Sequence, residues 1–410
     1  MRYCLIGEKL GHSYSKEIHN KLGVEYDLVE LRRDEIENFV KNQRYCGFNV
    51  TIPYKKDIIS YLDELDDSAK ISNAVNTVLV KSGKLKGYNT DISGMDYMIS
   101  RKGVSLEGKN VLILGSGGTS NTAQTLSRLN GAKTVNVVSR NGSINYQNCY
   151  DIKDAEIIIN TTPVGMYPNV NESLIDLSRF DNLIAVFDCI YNPFKTKLLC
   201  QAENLGLTFS DGLSMLVRQA IIAEEIWSEK DFSSITEKVI DKMRFDMANV
   251  ILYGMPSSGK STLGLEVSKI LNREFIDLDE YITNKVGKSP KELIIERGES
   301  AFREIEHECA KEVAKLSSKV VSLGGGTVLN SKSVDALKQN GVLIYVKRDL
   351  ESLSLDDRPL SLKNGVFKLY EERKTIYESV KDGEIDNNSS VLDGAKEIVK
   401  VYEIACNKWC

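Results

Sequence analysis

Short apolar runs recur along the chain, separated by longer stretches in which apolar residues return every three or four positions. The runs are NVLILG from Asn110, TVNVVSR from Thr134, AEIIINTT from Ala155, LIAVFD from Leu183, NVILYG from Asn249, KVVSLGG from Lys319 and VLIYVKR from Val342. Most end in small or polar residues, and their length and composition predict strands. TSNTAQTLSRLNGA from Thr119 and STLGLEVSKILNR from Ser261 carry the helical period instead. The alternation predicts an α/β fold with parallel sheets and crossover helices. No low-complexity segment or short repeat interrupts it.

The pattern also marks two seams. The stronger lies near Arg244 to Ala248, where the amphipathic SSITEKVIDKMRF ends and a new strand–loop–helix unit starts at once. A weaker one near Asp96 to Lys109 divides the first half. The expected domains are therefore 1–246 and 247–410, the first split into 1–100 with about 212–246, and 101–211.

A length of 410 residues allows two or three ordinary domains, and 42% hydrophobic with 27% charged residues is typical of soluble globular protein. A formal net charge of −5 without a long basic run argues against nucleic acid or a membrane surface as partner. Eight cysteines without a C-x-x-C pair, alongside three histidines, suit reduced thiols better than disulfides or zinc. Nowhere do roughly 18 apolar residues run together. The opening MRYCLIGEKLGHS lacks a signal-peptide stretch, so a cytoplasmic protein acting on small molecules is expected, with a homo-oligomer left open.

Two glycine-rich turns follow predicted strands. In LILGSGGTSNTA, Gly115, Gly117 and Gly118 precede a helical stretch, where bare backbone and helix-start amides suit a pyrophosphate. A tight structural turn is the alternative. At the end of the next strand, Ser139 and Arg140 stand where an NAD site would typically carry a carboxylate, which favours the 2′-phosphate of NADP. Arg140 as a solvated surface residue remains open.

Further motifs surround this turn: GHSYSKEIHN, GFNVTIPYKK, SNAVNTV, GYNTDISG, INTTPVGM, DCIYNPFKT and DGLSMLVRQA. In this order they resemble the shikimate dehydrogenase family over roughly the first 244 residues. The resemblance implies a substrate-binding α/β domain plus a Rossmann-like NADP domain. It also implies that Lys55 and Asp91 contact the reacting oxygen of the substrate. Reduction of a ring ketone needs a proton donor there, and an ammonium can polarise the carbonyl. Ser13 and Ser15, spaced to share one side of an extended segment, would bind the substrate carboxylate. Thr51, Asn76, Asn89, Tyr191 and Gln219 would bind ring hydroxyls through neutral hydrogen bonds suited to a triol. Lys16 and Ser214 replace a proline and a glycine usual in the family. The stretch Asn141 to Glu156 is short for a crossover helix, and no second basic residue follows Arg140.

The second turn, GMPSSGKST, fits G-x-x-x-x-G-K-S through Gly254, Gly259, Lys260 and Ser261, followed by Thr262. Such a loop cradles phosphates in backbone amides, with lysine reaching the transferring group and serine reaching Mg²⁺. FIDLDEYI carries Asp277 and Asp279 on one face of an extended segment, and ERGESAFREIEHE carries Arg303 and Glu306 one helical turn apart. SLGGGTV supplies Gly324, Gly325 and Gly326; DDRPL and EERKTIY supply Arg358 and Arg373. The set resembles shikimate kinase from Met247 to about Val401, a P-loop kinase α/β domain with a parallel sheet. The resemblance makes Asp279 the base, and Asp277 with Ser261 the Mg²⁺ side. Arg303 and Arg373 would hold the acceptor carboxylate, the glycines would approach its ring, and Arg358 would close over the phosphates. Acidic Asp356 and Asp357 precede Arg358, and DNNSSVLDG is left without a role.

Together the readings imply a bifunctional enzyme. One half reduces 3-dehydroshikimate to shikimate with NADPH, and the other phosphorylates shikimate with ATP and Mg²⁺. A quinate/shikimate dehydrogenase using NAD, or one half reduced to a ligand-binding module, are the alternatives.

Overall fold

The computed structural model describes residues 2–11, 13–42, 44–353 and 365–408. The chain forms two compact units, one of Met1–Met166 with Glu172–Met243, the other of Tyr167–Asn171 with Arg244–Cys410.

Two sheets build the first unit. Strands β1 (Tyr3–Gly7), β2 (Tyr26–Glu30), β3 (Gly47–Val50), β4 (Glu64–Leu65), β5 (Thr77–Lys81) and β6 (Lys84–Tyr88) lie in the order β2-β1-β3-β5-β6-β4. This sheet is mixed rather than parallel, because β5 runs antiparallel to both β3 and β6. The reversal is local: Ser82 and Gly83 both take positive φ in the two-residue β5–β6 turn, the conformation such hairpins favour.

Strands β7 (Asn110–Leu114), β8 (Thr134–Val138), β9 (Ile157–Asn160), β10 (Ala185–Asp188) and β11 (Thr208–Ser210) form a second sheet, ordered β11-β10-β9-β7-β8 and parallel throughout. Every residue of β7 is buried, as expected for a strand covered on both faces. No α-helix crosses from β8 to β9; a single 3₁₀ turn, Cys149–Asp151, stands there. Cys149 is buried in that core, with Ile144, Tyr146, Tyr150 and Ile152 packed against it. Asn145 accepts from the amides of Gln147 and Asn148, and Asn148 accepts from the Asn145 amide, so the short connection satisfies its own backbone.

In the second unit, β12 (Asn249–Tyr253), β13 (Glu274–Asp277), β14 (Lys319–Ser322), β15 (Gly341–Lys347) and β16 (Gly383–Asp386) form a parallel sheet ordered β13-β14-β12-β15-β16. The stronger seam falls within the last turn of helix Thr236–Met247. The carbonyls of Phe245 and Ala248 accept from the Tyr402 hydroxyl at 2.6 and 2.8 Å. Among the described residues no helix is long and apolar enough to cross a membrane.

Candidate active sites

A cavity of about 470 Å³ in the first unit is lined by Ser13, Ser15, Thr51, Lys55, Asn76, Asp91, Tyr191 and Gln219, so residues far apart in sequence converge there. Lys55 follows β3 on a turn anchored by Tyr54, whose buried ring sends its hydroxyl to the Leu31 carbonyl at 2.6 Å. Asp91 sits in the first turn of helix Thr90–Ser100, where the helix dipole favours an anion. Lys55 Nζ donates to Asp91 Oδ2 at 2.6 Å, and Asn76 Nδ2 donates to Asp91 Oδ1 at 2.9 Å. Both carboxylate oxygens are thus held. Asn76 is itself fixed by the Thr90 amide, which donates to its Oδ1 at 2.7 Å.

The serines meet differently from the expected extended segment. Ser15 opens helix Ser15–Lys21, and Ser13 Oγ donates to Ser15 Oγ at 3.1 Å across the helix start. Their hydroxyls are still neighbours. Asn89 is not among the lining residues; it caps helix Thr90–Ser100. Its Oδ1 accepts from the Asp91 and Ile92 amides, and its Nδ2 donates to Ser72 Oγ and the Ala74 carbonyl. Tyr191 meets Tyr14 edge-on, with centroids 5.9 Å apart. Burial pushes its phenol up to about 12, which keeps it a hydrogen-bond donor. Gln219 donates to the Leu216 carbonyl at 2.8 Å, one turn back on helix Leu213–Ser228.

Thr119 also lines the cavity, so it reaches the glycine turn. Gly117 precedes helix Gly118–Leu129, and no atom lies within 4 Å of where a Cβ would stand on Gly117 or Gly118. That open space beside a helix start fits a pyrophosphate. A Cβ on Gly115 would lie 2.8 Å from Thr161 Oγ1. Ser139 donates its amide to the Ile144 carbonyl, and Arg140 is exposed beyond β8. Sequence reasoning missed the support beneath this turn. Asp188, fully buried, accepts from Asn160 Nδ2 at 3.0 Å, Thr196 Oγ1 at 2.7 Å and the Ile190 amide at 3.0 Å. Asn160 in turn accepts from the Thr162 hydroxyl at 2.8 Å. The motifs INTTP and DCIYNPFKT contained this signal without revealing the pairing.

In the second unit, Gly254 has φ +153° and a Cβ there would lie 2.4 Å from the Val346 carbonyl, so the loop closes only on glycine. Lys260 is buried and donates to the carbonyls of Gly254 and Met255 at 3.2 and 2.8 Å. Ser258 Oγ is buried without a hydrogen-bond partner, a hydroxyl that a phosphoryl oxygen would satisfy. Ser261 Oγ donates to Asp277 Oδ2 at 2.6 Å, bringing together two oxygen ligands of the kind Mg²⁺ takes. Thr262 follows Ser261 in helix Lys260–Leu271 and is exposed. Asp277 and Asp279 do not share an extended segment. Asp277 ends β13 and caps helix Leu278–Val286, while Asp279 lies in its first turn.

The triple glycine is where Asp279, Arg303 and Arg373 meet. A Cβ on Gly324 would come within 3.1 Å of Asp279 Oδ1, and one on Gly326 within 2.4 Å of the Arg303 guanidinium. Arg303 donates to Glu306 Oε2 at 2.6 Å, and buried Glu306 accepts from Thr327 Oγ1 at 2.7 Å. Arg373, also buried, donates to the Gly325 carbonyl at 3.0 Å. Arg358 lies outside the described residues. Asn387, within the stretch left without a role, donates to the Ser258 carbonyl at 2.8 Å and so supports the phosphate loop.

Comparison with known proteins follows this division. A family model described as shikimate dehydrogenase substrate binding domain matches residues 5–78, and one described as shikimate kinase matches residues 256–403. A shikimate dehydrogenase (NADP(+)) of Clostridium perfringens is 38% identical over 260 residues, covering 58% of this chain and 96% of that protein. The solved chorismate mutase/shikimate 5-dehydrogenase fusion protein from Clostridium acetobutylicum is 35% identical, with a TM-score of 0.57 over 59% of this chain and 96% of that one. Shikimate 5-dehydrogenase from Thermus thermophilus, solved with NADP(H) and shikimate, is 26% identical, with a TM-score of 0.53 over 59% of this chain and 99% of that one.

Proposed function

The chain belongs to the shikimate dehydrogenase family and continues into a shikimate kinase domain, and from that premise we propose how its residues divide two consecutive reactions of the shikimate pathway. The first reduces 3-dehydroshikimate to shikimate, and the second phosphorylates the shikimate 3-hydroxyl. When bound, NADPH supplies the hydride, ATP the phosphoryl group, and Mg²⁺ neutralises phosphate charge.

In the reduction, Lys55 polarises the ketone and delivers a proton to its oxygen as that oxygen gains charge. Asp91 and Asn76 hold the ammonium and carboxylate in register. Ser13 and Ser15 hold the substrate carboxylate with neutral donors, while Thr51, Gln219 and Tyr191 bind the ring hydroxyls. Asn89 positions Asp91 by capping its helix. Gly115, Gly117 and Gly118 admit the cofactor pyrophosphate, and Ser139 and Arg140 face its ribose end.

In the phosphorylation, Asp279 accepts the proton of the attacking hydroxyl. Arg303 and Arg373 grip the acceptor carboxylate, a task suited to the guanidinium fork. Gly324, Gly325 and Gly326 let the backbone approach the ring. Lys260 holds the transferring phosphoryl group in a loop shaped by Gly254 and Gly259. Ser261 and Asp277 carry oxygens for Mg²⁺, Thr262 continues the phosphate-binding helix start, and Arg358 supplies charge over the phosphates. The two biosynthetic enzyme families support a cytoplasmic setting.

The observation that carries this reading is the 2.6 Å Lys55–Asp91 pair in a cavity that also holds Ser13, Ser15 and the start of the cofactor helix. A second reading, dehydrogenation of quinate with NAD, draws on Arg140 lacking a second basic neighbour. Comparing kcat/KM for shikimate and quinate with NADP⁺ and NAD⁺ separates the two. The proposal expects the highest value for shikimate with NADP⁺; a preference for quinate with NAD⁺ overturns it.

A further inference from the structure

Three charged side chains line the cavity of the first unit: Lys55, Asp91 and Lys9. Lys55 and Asp91 pair at 2.6 Å, so their charges cancel. Tyr191 stays neutral because burial pushes its phenol up to about 12, and burial likewise pushes the Cys189 thiol up. The cavity is therefore left with one uncompensated charge, the exposed ammonium of Lys9. Among the described residues Lys9 forms no ion pair.

The sequence around Lys9 fixes where that charge stands. Beyond β1, Leu10 turns inward and is buried. A Cβ on Gly7 would lie 2.7 Å from both Leu10 Cδ2 and Thr51 Cγ2, so the chain packs this closely only on glycine. The Leu10 amide donates to Glu30 Oε1 at 2.8 Å, and the Leu10 carbonyl accepts from the Ser13 amide at 2.9 Å. Lys9 is thus held one peptide before a turn that ends at Ser13, and Lys9, Ser13 and Ser15 border the cavity from a single segment. The two serine hydroxyls, 3.1 Å apart, are neutral. A carboxylate drawn from water onto neutral donors alone is poorly compensated, and a cation on the same segment supplies the missing charge.

We propose that Lys9 is a further substrate-binding residue of the dehydrogenase site, whose ammonium draws the substrate carboxylate to Ser13 and Ser15 and holds it there. Lys55 does not serve this purpose, because Asp91 neutralises it and its task is the ketone. Lys9 acts on a group that carries the same charge before and during hydride transfer, so it sets KM and leaves kcat unchanged. Because the ammonium is exposed, salt screens its effect.

This inference rests on the dehydrogenase reading above. The test is reduction of 3-dehydroshikimate by the full chain at saturating NADPH, without ATP. Lys9→Met keeps an apolar stem and removes the charge; it should raise the KM about fivefold, the upper value of a partly solvated charge pair, with kcat unchanged. Lys9→Arg should restore the wild-type KM, and Lys9→Glu should raise it beyond K9M. Between about 0.01 M and 1 M salt, where the screening length shortens from about 30 to about 3 Å, the wild-type KM should climb towards that of K9M. The methyl ester of 3-dehydroshikimate, which lacks the anion, should show the same KM in wild type and K9M, a result that a merely structural role for Lys9 would not give. An unchanged KM for the acid in K9M, an equal rise for the ester, no restoration in K9R, or a salt dependence as steep in K9M as in the wild type overturns the inference while the dehydrogenase reading stands. Absence of 3-dehydroshikimate reduction by the wild type overturns that reading itself.

Discussion

Lys55 and Asp91 form a short ion pair whose side chains, 27% and 15% exposed, stay partly open to the cavity in which the proposed reduction takes place. Asn89 shows the opposite emphasis. Asparagine before a threonine and an aspartate reads equally as a ligand contact or a helix cap, and only the fold decides between them. With its side chain spent on four local hydrogen bonds, Asn89→Ala should destabilise the dehydrogenase unit by about 1 kcal/mol, the usual cost of losing a cap. Its kcat should fall as Asp91 loses its fixed position, and urea unfolding with steady-state rates checks both. Asp188 was illegible because Ile190 and Thr196 lie in its own motif while Asn160 comes from another, and only the fold brings the three together. Burial outweighs its three donors and pushes the carboxyl up to about 7. The folded state therefore keeps a proton that the unfolded chain releases near its ordinary value of 3.8. The associated stabilisation is present below about pH 4 and is lost as pH rises through about 7. The thermal midpoint of the dehydrogenase unit should fall from pH 5 to 8 more steeply in the wild type than in Asp188→Asn. Parallel curves contradict this assignment.

At the scale of elements, the parallel sheets were legible because strands buried on both faces show as continuous apolar runs, as in NVLIL and NVILY. The first sheet was not, since its antiparallel strands β5 and β6 are half-exposed and mix lysine with apolar residues. The missing crossover helix could be anticipated from length, but its replacement by Tyr146, Cys149 and Tyr150 against the sheet depends on tertiary packing. Glycines in the kinase were legible as a motif, while their reason is spatial: Gly326 makes room for the Arg303 guanidinium. Gly326→Ala should displace that guanidinium and raise the KM for shikimate in the kinase assay about tenfold, the equivalent of one charge-assisted hydrogen bond. The dehydrogenase reaction should be unaffected. An unchanged kinase KM means Arg303 does not hold the acceptor.

For the whole molecule, the proposed function gives one acid two independent sets of carboxylate-binding residues, Ser13 with Ser15 and Arg303 with Arg373, in consecutive steps. Motif order made this pairing of activities legible; which side chains converge, and which merely support them, needed the fold. The most direct measurement supplies 3-dehydroshikimate, NADPH, ATP and Mg²⁺ to the purified chain and follows NADPH absorbance, shikimate and shikimate 3-phosphate together. The wild type should consume NADPH and accumulate shikimate 3-phosphate. Lys260→Ala should consume NADPH and stop at shikimate, and Lys55→Ala should lose about 10²- to 10⁴-fold in reduction yet phosphorylate added shikimate normally. Wild-type chain that neither oxidises NADPH nor forms shikimate 3-phosphate, or single variants that each lose both activities while folded, would contradict two sites dividing two reactions.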